Sequence, residues 1–103
     1  MRQSHKWIGL AEIHQRSGVT TLGRNRGAFV TAVSMAPDEE QFVATLRSAF
    51  LDMGFELMSV DEIELYSRRS AHHQIDERIR RDADLLDQDS RVVIGTFHTF
   101  RLD

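Results

Sequence analysis

Two histidines and two carboxylates crowd residues 72–77. His72 and Asp76 are four residues apart, as are His73 and Glu77. On one helix that spacing sets each imidazole one turn from a carboxylate, an arrangement able to contribute to a metal site. Two ligands do not complete a coordination sphere, and no third is identifiable in the sequence. Plain surface residues near a helix start are the simpler reading.

The run Gly95-Thr96-Phe97-His98-Thr99-Phe100 sets an imidazole among threonines and aromatics. His98 has the chemistry of a general base or a ligand contact. No nucleophile is paired with it in sequence, and a strand rich in β-formers accounts for the composition equally well. A third candidate is the stretch 15–27. It mixes Gly18, Gly23 and Gly27 with Arg16, Arg24 and Arg26. Mobile backbone plus guanidinium groups suits a phosphate or carboxylate. The glycine–lysine spacing of a phosphate loop is missing, and no helix follows directly. Arg68 and Arg69 form a second basic spot.

Charge comes in blocks. Residues 1–36 are basic, residues 37–66 strongly acidic, and the overall charge is −3. The acidic block, with Asp38, Glu39, Glu40, Asp61, Glu62 and Glu64, offers a surface that a basic protein would meet faster for its charge. A negative net charge and few exposed aromatics argue against a nucleic-acid partner. Arginine outnumbers lysine twelve to one, which biased composition explains as well as any function.

These groups need a scaffold, and 103 residues with 41% hydrophobic content make one small α+β domain, residues 1–103. Without cysteine there is no disulfide, no thiolate zinc site and no thiol nucleophile, which fits a cytoplasmic home. No apolar run is long enough to span a membrane. No cofactor is implied.

Residues 6–14 read as a strand. Residues 15–27 read as a Gly/Arg-rich loop or hairpin, with room for a short strand at 19–22. Residues 28–35 are apolar on both faces, as in an interior strand. Pro37 through Gly54 carries the clearest helix signal. Acidic residues fill its first turn, Phe42, Leu46, Ala49, Phe50 and Met53 form one stripe, and Gly54 stops it. Residues 55–66 read as a strand whose phase slips near 59–61, which a bulge explains. Residues 70–88 read as a second, mostly charged helix seated by Ile75, Ile79, Ala83 and Leu86. Residues 91–101 read as a central strand in which Gly95 marks a bulge or a close backbone approach.

The expected order is β-(β)-β-α-β-α-β. Right-handed crossovers between parallel neighbours would put both helices on one face of a mixed sheet of four or five strands, a two-layer sandwich ferredoxin-like only in the loose sense. The second sheet face then needs cover, from a second copy or from the Trp7 strand. The expected function is a non-catalytic interaction or regulatory module that binds itself or a protein partner. Alternatives are an anion- or small-molecule-binding domain using the Gly/Arg loop, and an enzyme using His98.

Overall fold

The structure is a computed structural model describing residues 3–86 and 92–102. The elements are β1 (His5–Gln15), β2 (Gly27–Ala36), α1 (Glu39–Asp52), β3 (Phe55–Leu65), α2 (Tyr66–His72), α3 (Glu77–Asp84), β4 (Val92–Ile94) and β5 (His98–Phe100). They form an α+β fold on a single sheet ordered β3-β1-β2-β4, with β5 also paired to β2. Among the described residues no helix is long and apolar enough to cross a membrane.

The expected mixed sheet is corrected to an antiparallel one, because every strand pair runs antiparallel. β1 and β2 form a long hairpin, and β3 adds on the far side of β1. β2 and β3 are therefore parallel to each other but separated by β1. α1 spans that crossover.

The expectation of both helices on one face is also overturned. α1 buries Phe42, Leu46 and Phe50 against Ala28, Val30 and Ala32 of β2. Ile79 and Ala83 of α3 pack with Val33 of β2 and Ile8 of β1 instead. Successive residues of a strand point to opposite sides, so even-numbered β2 residues and Val33 mark opposite faces. α1 covers one face and α2–α3 lies on the other. The topology permits this. β4 runs antiparallel to β3, so the handedness rule for parallel crossovers does not bind the second connection.

Around α1 the local chemistry is as read, with its start shifted. Pro37 stays outside the helix. Asp38 is the N-cap, its carboxylate accepting from the Gln41 amide at 2.8 Å. Gly54 sits at φ 91°, beyond the C-cap Met53. A Cβ there would lie 2.8 Å from Val19, so the loop closes tightly under the end of the helix. No strand forms at 19–22. Leu22 is instead buried in the α1-side core, and its amide donates to Gln15 Oε1 at 3.0 Å.

Three further readings change. The single helix at 70–88 is two helices, broken at His73 in extended conformation and restarted by the N-cap Asp76. Its last two positions lie outside the described residues. The strand at 91–101 is two short strands along one sheet edge rather than a central strand, with position 91 outside the described residues. Gly95 separates them, donates to the Thr31 carbonyl at 2.9 Å, and leaves no room for a Cβ beside Ile79 at 2.7 Å. β3 is continuous but slips register twice, at Met58 and at residues 62–63, on either side of the expected bulge.

The α1 face is the larger core. Phe42, Leu46, Phe50 and Phe55 are each at most 1% exposed. Burial of one such side chain contributes about 1.5–3 kcal/mol. Truncating Phe50 to alanine also leaves a cavity, and the expected loss is roughly 3–5 kcal/mol of unfolding free energy in urea titration. A loss below about 1 kcal/mol would place Phe50 outside the core.

Candidate functional site

Two places on the α2–α3 side of the sheet gather side chains able to bind something. The first is the part of that face the helices leave bare. Ile8, Val33 and Met35 lie under α2–α3. Toward the hairpin end the same face continues through Leu10, Glu12 and His14 of β1 and Phe29 and Thr31 of β2. Register pairs Leu10 with Thr31, Glu12 with Phe29, and Phe29 in turn with His98 of β5. Phe29 is 38% exposed between the fully buried Ala28 and Val30. Phe100 packs over Gly27, with its ring 5.0 Å from that of Phe29 and 6.0 Å, edge on, from His14. The His14 ring is hydrogen-bonded to Glu12 at 2.8 Å. The result is a small aromatic platform ringed by imidazole and carboxylate.

The second place is a cleft of about 580 Å³ where the bare half meets α2–α3. Ile8, Thr31 and Ile79 are among its apolar and neutral lining, together with Glu62, Glu64, Arg69, His73 and Asp76. Arg69 is committed there. Its Nε donates to Glu64, and its Nη2 donates to the Glu62 carbonyl at 2.8 Å. The hydrogen bond from Arg69 holds the Glu64 carboxyl below its ordinary value, with further help from the charges of Arg69 and His73. Glu62 is exposed and holds the left-handed backbone, φ 56°. With three carboxylates against one paired guanidinium, the cleft favours a cation.

Of the expected site residues, the structure brings Arg69, His73 and Asp76 into this cleft and leaves the others apart. The metal pairing of His72 with Asp76 and His73 with Glu77 does not form, because the break at His73 takes the four residues off a common helix. Asp76 instead accepts from the Arg78 amide at 2.9 Å and the Ile79 amide at 3.4 Å. Among the described residues no three His, Asp or Glu side chains converge as metal ligands. Arg68 is exposed on α2. His98 is exposed on β5, and its imidazole has no hydrogen-bond partner among the described residues. Arg16, Arg24 and Arg26 are exposed at the hairpin end of the sheet, where β5 delivers the exposed Arg101 beside them.

Glu12, His14, Phe29 and Phe100 were not picked out from the sequence. The available signal was the even-numbered face of β1, which passes from Ile8 to Glu12 and His14 and so marks where cover ends.

At the start of α2, Tyr66 is 7% exposed and its hydroxyl has no hydrogen-bond partner among the described residues. Burial, and then the charge of Asp84, raise its pKa above the usual phenol value. The chain matches no protein-family model, and neither a curated protein nor a solved structure is similar to it at a significant level.

Two outcomes follow. A buried unpaired hydroxyl costs about 1–3 kcal/mol, so Tyr66→Phe is expected to leave the melting temperature unchanged or raise it, and a clear drop would reveal a missed partner. Glu64 has a depressed pKa, so its contribution is present above the ordinary value of 4.5 and is lost as pH falls through the depressed value. By carboxyl NMR, Glu64 should titrate below the usual range in the native chain and shift upward in Arg69→Gln. An unmoved titration would show that the ion pair is absent in solution.

Proposed function

We propose that this chain is a non-catalytic interaction module that works through the bare half of its α2–α3 sheet face. One observation carries the reading. Phe29, the third residue of the interior strand β2, is 38% exposed on the α2–α3 face, while Ala28 and Val30, on the opposite face, are fully buried in the α1-side core. An aromatic residue at such a position contributes most when a partner excludes water from it. Phe100 and Leu10 extend the apolar centre, and Glu12, His14 and His98 supply a polar rim, the usual anatomy of a recognition patch. The cysteine-free composition suits work in a reducing compartment such as the cytoplasm.

The reading is tested by placing a photo-crosslinking phenylalanine analogue at position 29 and, as a control, at the exposed Ala44 on α1. Irradiation in cells should give a discrete adduct, identified by mass spectrometry, from position 29 alone. No adduct from position 29, or equal adducts from both positions, would overturn the reading.

A further inference from the structure

The hairpin end of the sheet and the cleft carry opposite charge, and the bare face lies between them. Arg16, Arg24 and Arg26 belong to the loop joining β1 to β2. Arg101 follows β5, whose Phe100 is paired with Gly27 at that same end. All four arginines are exposed and form no ion pair among the described residues. At the other limit of the bare face, α2–α3 rises as a wall about one layer high. The cleft at its foot holds Glu62, Glu64 and Asp76, with a single guanidinium that is already paired.

Resting on the reading above, we infer that the partner is a second copy of this chain, docked face to face with its strands antiparallel, so that the arginine end of each copy meets the carboxylate cleft of the other. A two-fold axis lying in the interface, perpendicular to the strands and passing near Phe29, generates this arrangement. Packed sheets sit about 10 Å apart, close to the spacing of a helix on a sheet. The second copy's sheet therefore occupies the same level as α2–α3 and abuts that wall end on.

Each molecule is in effect a step, and two steps interlock. The contact is isologous, so every arginine-to-carboxylate contact occurs twice. The reverse orientation, with strands parallel across the interface, would set arginine end against arginine end and leave both clefts empty. Charge therefore selects the antiparallel arrangement.

Sedimentation velocity over a wide protein concentration range, at low and high sodium chloride, tests the inference on the full chain. The expected result is a reversible dimer. Its affinity should fall about tenfold with added salt, and at least about tenfold in the double variant Arg24→Glu, Arg26→Glu, as solvent-accessible charge contacts are screened or reversed. Glu62→Arg should weaken self-association likewise. Because these residues are exposed, circular dichroism should be unchanged in each variant. Mixing the Arg24→Glu, Arg26→Glu chain with the Glu62→Arg chain should restore a dimer, the outcome that identifies the pairing.

A dimer indifferent to salt and to both reversals would overturn the inferred orientation. A strict monomer, or a position-29 adduct joining this chain to a different protein, would overturn the second copy as partner, while the adduct itself would uphold the recognition face. Absence of any position-29 adduct is the separate failure of that face.

Discussion

The placement of β1 between β2 and β3 is the constraint on which the rest depends. Both neighbours pair with it antiparallel along nearly its whole length. That makes β2 and β3 parallel at one remove, and α1 is the connection that crosses β1. The connection leaving β3 faces no such demand, because β4 returns in the opposite direction. It can take the other face, and α2–α3 do so. A glycine in the middle of β1 makes the first layer possible. A side chain at Gly9 would lie 2.8 Å from Val60 and 3.3 Å from Phe42, so the missing Cβ leaves room for both against β1.

Local elements with strong internal signals were legible in the sequence. α1 announces itself through its acidic start, its apolar stripe and Gly54; Asp38, expected within the first turn, caps the helix instead, and Met53, expected in the stripe, is exposed at the C-cap. β2 shows two apolar faces and is interior, with Val30 and Val33 facing separate cores. What the sequence did not reveal was long-range. The break at His73 has no proline or glycine to mark it. It depends on Asp76 recruiting two amides for a new helix start, and an aspartate inside a charged run does not declare itself as a cap. The side taken by α3 is left open by the direction of β4, a strand of three residues whose pairing with Ala32–Ser34 has no local signature.

The candidate site was less legible for the same reason. Arg69, His73 and Asp76 suggest separate purposes in the sequence and share one cleft only because α2 and α3 fold back over β1 and β2. His98 stands out in the sequence for its chemistry, and the fold sets it on the rim of an aromatic platform, across from Phe29. That platform is assembled by register alone: Gly27 leaves a space, Phe100 fills it, and His14 meets the ring edge on. Residues 14, 29 and 100 come from three strands, and no spacing along the chain connects them.

The two register slips in β3 have a consequence for how the molecule can multiply. β3 is the long outer strand of the sheet, the kind of border on which further strands polymerise into fibrillar ribbons. Its slips at Met58 and at 62–63 bend that border, and Asp61, Glu62 and Glu64 electrify it, so successive molecules cannot zip along it in register. The border thus resists open-ended stacking, whereas the face-to-face pairing inferred above would close on itself after two.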